Sequence, residues 1–263
     1  PKMHLNTDEN LKIEIDLRNA LARQEFVIHY QPIVAISSKE IIGFEALVRW
    51  NHPELGLLSP LKFIPVAETT GLIVPLGWLV LREACRQMRY WNNALPKASS
   101  MFVSVNMSSK QFAQKNVVEK IQSILDETRL PAENLKLELT ESILIDHSDS
   151  IIAQLEAIRD MGIKLSIDDF GTGYSSLSYL HQFPFDSLKI DRSFIEDADS
   201  DFEKLEILQS VIKLAWNLGL EVIAEGIETQ KNYFQLKALN CELGQGYLFS
   251  RPIDAQTIEA LLR

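Results

Sequence analysis

The sequence predicts an α/β barrel of eight strands in which the first strand runs against the others. Three observations carry this. Strand-like and helix-like stretches alternate along all 263 residues, the pattern of repeated β-then-α units that closes into a parallel barrel. Seven segments read as apolar strands, and nearly all of them deliver a metal-binding or charged residue at or near the end of the run. Finally, FVIHYQPIVAI and EIIGFEALVRW are separated only by Ser37, Ser38 and Lys39. A parallel crossover needs a dozen or more residues, so these two strands must pair as an antiparallel hairpin.

The elements follow in order. Residues 1–20, with LKIEIDLRNAL, read as a helical lead-in from an upstream module, and 21–263 as one barrel domain without internal repeats. In the second strand, alternation puts Glu45, Leu47 and Arg49 on one face. Residues 76–93 have helical periodicity, with Leu81, Ala84, Cys85, Met88 and Trp91 sharing a face. MFVSVNMS then supplies Asn106, a helix covers 111–128, and LKLELTES supplies Glu138 and Glu141. A helix over 148–161 leads to KLSIDDFGTG with Asp168 and Asp169, followed by SLKIDRSFI with Lys189 and Asp191. The helix over 203–218 has Leu205, Leu208, Val211, Ile212, Ala215 and Leu218 on one side. LEVIAEGIE closes with Glu225 and Glu228, and LGQGYLF carries Gln245. In a modified TIM (β/α)8 barrel of this kind, chemistry sits at the C-terminal ends of the parallel strands, where these polar residues fall.

Composition narrows the function. Asp and Glu number 36 against 26 Lys and Arg, a net charge of −10, and such a surface disfavours polymeric nucleic acid. A small anionic substrate stays compatible if cations neutralise it locally. The longest apolar stretch, GLIVPLGWLVL, is broken by Pro75 and Gly77 and is too short to span a bilayer, so no membrane contact is expected of this domain. No signal-peptide pattern opens the chain, and a start at Pro1 leads us to expect a piece of a longer protein. Cys85 and Cys241 form no CxxC pair and are expected as buried free thiols in a reducing cytoplasm. The five histidines show no HxH or HExxH spacing, which argues against zinc.

Each polar strand end has a structural reading beside its chemical one. IDDFGTGYSS is either a strand with an Asp-Asp-Gly turn or a pair of carboxylates for two metals, with Gly171 and Gly173 turning the following loop. Its DFG triplet lacks the other kinase motifs, and GTG is no Walker A sequence. Glu45 and Arg49 form either a surface ion pair or a clamp of one carboxylate for metal and one guanidinium for phosphate. Asn106 could serve a turn, Glu138 and Glu141 a capping box, Lys189 and Asp191 a structural pair, and Glu225 and Glu228 a solvated helix start. Buried charge is costly unless it has a partner, and one such residue at each strand end favours a common pocket. Hard oxygen ligands with one lysine beside them describe a divalent-metal phosphoesterase.

In order, EALVRW, SVNMS, ELTES, IDDFGTGYSSL, LKIDRSFI, AEGIET and GQGYLFSRP resemble the EAL family of cyclic di-GMP phosphodiesterases from about Leu17 to the C-terminus. Val48 stands where the family usually has Leu. The opening segment resembles the connector that follows a GGDEF domain. The resemblance implies hydrolysis of cyclic di-GMP to linear pGpG with two Mg²⁺ or Mn²⁺ ions. It implies Glu45, Asn106, Glu138 and Asp168 for the first metal and Asp168 and Asp169, with Glu225 nearby, for the second. Lys189 matches the catalytic lysine, as a general base or as the residue that orients water. Gln31, Leu47, Arg49, Gln245 and Asp191 match substrate contacts. Glu141 matches the anchor of the loop Gly171–Ser178, and Glu228 a further supporting acid. A cytoplasmic homodimer downstream of a GGDEF or sensor domain is the family expectation, with any membrane anchor in upstream segments. The alternative is a catalytically weak cyclic di-GMP receptor or dimerisation module, as in EAL-like domains that have lost ligands.

Overall fold

The computed structural model describes residues 2–141, 143, 149–171, 182–196 and 202–263, with residues 2–10 and 149 by backbone alone. Helix α1 (Lys2–Arg23) opens the chain and buries Leu17 and Ala20 completely. Strand β1 (Phe26–Ala35) follows and pairs antiparallel with β2 (Ile41–His52), from Phe26↔Trp50 through Gln31↔Glu45 to Ile33↔Gly43. The short connection closes tightly, with Lys39 N donating to Ala35 O at 2.7 Å, and this hairpin is why the first strand is reversed. Beyond the barrel rim, β2 also pairs with β3 (Gly56–Leu58).

Helices α2 (Pro60–Thr70) and α3 (Ile73–Ala94) then return the chain to β4 (Phe102–Met107). The predicted face of α3 is the buried one: Leu81, Ala84, Cys85, Met88 and Trp91 are all inaccessible. Trp91 meets Tyr30 edge-on at 4.7 Å between centroids, locking α3 to the hairpin. The single helix expected over 111–128 is two helices, α4 (Ser109–Phe112) and α5 (Val117–Thr128). Ser108 caps the first, its Oγ accepting from Gln111 N, while burial of Gln111 and Phe112 holds that turn against the core. Ala113 is exposed, and the polar run Gln114–Asn116 after it does not continue the buried face.

Strand β5 (Leu135–Thr140), helix α6 (Asp149–Asp160), β6 (Lys164–Phe170) and β7 (Ser187–Ile190) come next. After them are the helix Phe202–Asn217, β8 (Glu221–Ala224), the helix Gln230–Ala238, β9 (Leu243–Gly244) and the helix Ala255–Leu262. The order β1-β9-β8-β7-β6-β5-β4-β2, closed by the β1–β2 pairing, forms the barrel, with β3 attached outside it. β1 is antiparallel to both neighbours, and every pairing from β2 through β4 to β9 is parallel.

Most of the core lies between the barrel and its helices, where Phe44, Trp50, Phe63 and Trp91 are fully buried. Each such side chain stabilises the fold by roughly 1.5–3 kcal/mol or more. Inside the barrel, a small apolar group of Ile33, Ile223 and Leu243 is packed by Ala35, Ile42 and Phe102. Above it the lining turns polar. Cys85 and Cys241 are both buried free thiols, and burial raises the pKa of each.

Candidate active site

Parallel strands present their C-terminal ends to one face, and that face gathers Glu45 from β2, Asn106 from β4, Glu138 from β5, Asp168 and Asp169 from β6 and Lys189 from β7. Glu225 and Gln245 follow directly on β8 and β9. Lys189 is the centre. It is 1% exposed, and its Nζ lies 2.6 Å from Glu225 Oε1, 2.9 Å from Glu138 Oε2, 3.3 Å from Asp168 Oδ1 and 3.5 Å from Glu45 Oε2.

Adjacent residues on a regular strand point to opposite faces, so Asp168 and Asp169 cannot share a site without a backbone defect. The defect is present. Between Ile167 and Phe170, β6 carries one more residue than the facing stretch Leu188–Ile190, and Asp169 has φ 54°. A bulge with a left-handed residue re-aims a side chain, and Asp tolerates that conformation better than most. Carboxylate oxygens of Asp168, Asp169 and Glu225 consequently lie within 4.8 Å of one another.

A polar chain fixes the other side. Gln31 Nε2 donates to Ser250 O at 3.1 Å, and Gln245 Nε2 donates to Gln31 Oε1 at 2.9 Å and to Glu45 Oε2 at 2.6 Å. Asn106 Nδ2 donates to Glu45 Oε1 at 2.7 Å, so its amide nitrogen is engaged and its carbonyl oxygen is the atom it offers to a cation. Three buried oxygens here have no hydrogen-bond partner: Glu138 Oε1, Asp168 Oδ1 and Gln245 Oε1. Asp168 Oδ1 still faces the Lys189 ammonium at 3.3 Å, whereas Glu138 Oε1 and Gln245 Oε1 are uncompensated; such buried acceptors are costly, and an all-oxygen set of this kind suits a hard divalent cation.

The electrostatics agree. Burial pushes the Glu138 carboxyl up to about 8, aided by the charges of Glu45 and Asp168 and opposed by Lys189. Glu225 rises to about 7, again through burial first and the Asp168 and Glu45 charges next. Asp169 is raised by partial burial, then by Asp168 and Asp191. For Lys189, burial alone would lower the pKa, but Asp168, Glu138, Glu225 and Glu45 together hold it well above its ordinary value. Five carboxyl groups crowd one ammonium, and without further cations they resist carrying all their charges at once.

The remaining predicted residues are placed as follows. Glu141 is buried, and its Oε2 accepts from Gly171 N at 3.0 Å, just past the Asp168–Asp169 bulge. The rest of the loop Gly171–Ser178 lies outside the described residues. Glu45 and Arg49 form no ion pair: Arg49 Nη1 donates to Val48 O at 2.8 Å, and burial lowers the Arg49 pKa. Asp191 caps the 3₁₀ turn Arg192–Phe194, its Oδ1 accepting from Ser193 N at 3.0 Å. Glu225 and Glu228 do not start a helix. The next helix begins at Gln230 behind a Thr229–Asn232 capping box.

Two cavities meet at this face. One, of about 260 Å³, is lined by Gln31, Glu45, Leu47, Asp168, Lys189, Glu225, Glu228 and Gln245. The other, of about 270 Å³, reaches Asn106, Asp168 and Asp169 from an apolar wall of Pro60, Ile64, Ile73 and Leu76. Leu47 and Asp168 line both. The first cavity also takes in Arg192, Gly226, Gly246 and Tyr247, which sequence reasoning did not single out. Arg192 and Tyr247 lie within the quoted motifs, directly after the Lys189–Asp191 alternation and two residues after Gln245, and only the rim geometry separates them from ordinary surface residues.

Comparison with known proteins gives a consistent result. A family model described as "EAL domain" matches residues 14–252. The chain is 44% identical over 255 residues to "Cyclic di-GMP phosphodiesterase NbdA" of Pseudomonas aeruginosa, covering 97% of this chain and 32% of that protein. It is 43% identical over 258 residues to the P. aeruginosa "Bifunctional diguanylate cyclase/cyclic di-GMP phosphodiesterase MucR", covering 98% of this chain and 37% of the relative. The solved structure "PaMucR Phosphodiesterase, c-di-GMP complex" superposes with a TM-score of 0.89 at 42% identity, covering 94% of this chain and 99% of that one. The chain thus spans about a third of the length of the full-length relatives.

Proposed function

The chain belongs to the EAL domain family, and from that premise we propose that it hydrolyses cyclic di-GMP to linear pGpG. The observation that carries this reading is Lys189 Nζ within 3.5 Å of four carboxylates, with Glu138 keeping a second, buried oxygen that has no partner. Such oxygens fit divalent cations, Mg²⁺ or Mn²⁺. Glu45, Asn106, Glu138 and Asp168 would hold one ion, and Asp168, Asp169 and Glu225 a second. When bound, the ions supply Lewis-acid charge to a phosphodiester, which offsets the repulsion between an anionic substrate and an acidic site.

The protein's own groups do the rest. Gln31 and Gln245 hold Glu45 in place through the hydrogen-bonded chain, and Glu141 fixes the backbone beyond Asp169. Lys189 Nζ gives the attacking water a fixed partner among the carboxylates. The two cavities flanking Leu47 and Asp168 suit a substrate with two bases and a scissile phosphate between them. Residues 21–263 form the catalytic unit and 1–20 the lead-in from an upstream GGDEF or sensor module, a reading supported by the two-activity name of MucR. We place the domain in the cytoplasm as a homodimer. Two free buried thiols agree with a reducing compartment, and no helix among the described residues is long and apolar enough to cross a membrane.

The test is turnover of cyclic di-GMP by the purified chain, with pGpG followed chromatographically. Product should form with Mg²⁺ or Mn²⁺ and stop in excess chelator, and Ca²⁺ should inhibit because its looser coordination misplaces the water. Turnover in chelator would overturn the metal assignment. Tight binding with no product under Mg²⁺ would mark a receptor instead.

A further inference from the structure

We infer that Arg192 reads the guanine base of the substrate, donating to its O6/N7 edge from the rim of the cavity; this rests on the reading given above. The cavity that holds Glu45, Asp168 and Glu225 is lined by two cations, Lys189 and Arg192. Lys189 is committed to four carboxylates. Arg192 forms no ion pair with any described residue, and its side chain is exposed on the cavity wall. It is the cation in that wall available to an incoming ligand.

Its position is built. Gly226 has φ 71°, and a Cβ there would come within 2.3 Å of the Arg192 Cβ and 3.2 Å of its Cα, so only glycine lets the two segments close. The same strip continues sideways: Glu225 N donates to Ile190 O at 3.1 Å and Ile227 N to Gln245 O at 3.0 Å. A Cβ at Gly246 would lie 2.2 Å from Ile227 O, so that contact is equally close. Arg192, the Gly226–Ile227 strip and Tyr247 therefore form one continuous rim.

Tyr247 gives the rim its chemistry. Tyr247 is 48% exposed, and the Arg251 guanidinium lies 4.2 Å from its ring centroid. An aromatic platform backed by a cation stacks well with a flat base. A guanidinium beside such a platform matches the paired acceptors O6 and N7 of guanine, whereas adenine replaces O6 with an amino donor. One fork of donors thus distinguishes the two purines.

The experiment compares wild type, Arg192→Ala and Arg192→Lys. Alanine keeps the Cβ that rests on Gly226, and circular dichroism and a melting curve verify folding. Arg192→Ala should raise KM for cyclic di-GMP roughly 10- to 100-fold, with kcat changing far less, the range for losing a bidentate contact to guanine. The inhibition constant of cyclic di-AMP as competitor should not move. Arg192→Lys keeps the charge without the fork and should recover only a small part of the loss.

Equal weakening of both dinucleotides would overturn the assignment in favour of a phosphate contact. So would full rescue by lysine, or an unchanged KM in an active enzyme. A wild-type protein that neither binds nor hydrolyses cyclic di-GMP would instead overturn the underlying reading, and this inference with it.

Discussion

Replacing Lys189 with Met keeps the length of the side chain and removes the ammonium lying within 3.5 Å of Glu45, Glu138, Asp168 and Glu225. Lys189 and Glu138 are both essentially inaccessible, so water cannot replace the lost partner. Breaking a buried pair by removing one member costs about 3–5 kcal/mol. A chain of this size moves about 2–4 °C per kcal/mol, so in chelator the melting temperature should fall by roughly 6–20 °C. Saturating Mg²⁺ or Mn²⁺ should recover most of that loss, because the ions bind the folded state and neutralise the same oxygens. Metal affinity should hold or rise, since the ammonium competes for those oxygens, while turnover drops by about two to four orders of magnitude. Differential scanning fluorimetry with and without metal, and calorimetric metal titration, read both effects. An unchanged melting temperature in chelator would refute the claim that Lys189 neutralises the cluster. A variant unable to bind metal would refute its separation from the metal ligands.

Glu45→Gln should lose turnover and one metal-binding event, because Glu45 accepts from Asn106 and Gln245 and also faces Lys189; a normal kcat would remove it from the ligand set. Glu141→Ala removes the part-buried hydrogen bond that holds Gly171 N, a loss of about 0.5–1.5 kcal/mol. It should weaken metal binding and rate in a barrel that is still folded, and normal metal titration would exclude the coupling. In chelator, Glu138 and Glu225 bind protons more tightly folded, near 8 and 7, than at their usual 4.5. Their stabilisation is complete below about pH 4.5 and is lost as pH rises through 7 to 8, so melting temperature should fall across that window, more steeply than in Glu138→Gln. A flat wild-type profile would contradict the raised values.

Much of this was legible in the sequence because barrel strands obey period two. Asn106, Glu138 and Lys189 could be assigned to one face from the apolar residues beside them, and the short gap before Glu40 dictated the hairpin. The shared site of Asp168 and Asp169 was suggested by the motif and not by periodicity, since strict alternation would have separated them. The register shift that unites them is a backbone property no side-chain pattern encodes. The break between α4 and α5 was hidden because apolar residues stand on both sides of a polar run too short to interrupt the helical spacing. Arg192 and Tyr247 were hidden for another reason: they line one cavity because backbone segments far apart in the chain approach closely at Gly226 and Gly246.

The reversal of β1 changes where this domain can be touched from outside. In a barrel of uniform direction the chain enters at the floor, away from the chemistry. Here Phe26 pairs with Trp50, beyond Glu45 on β2, so the polypeptide comes in over the catalytic rim. The joint is braced by Trp50 Nε1 donating to Glu25 Oε2 at 3.0 Å and by His52 near Asp16 at 3.4 Å. From there Gln31, Gln245 and Glu45 are linked in series. Helix α1 thus joins the barrel at the pole where Glu45 lies, and a twist applied to α1 need not cross the protein to reach the acidic pocket.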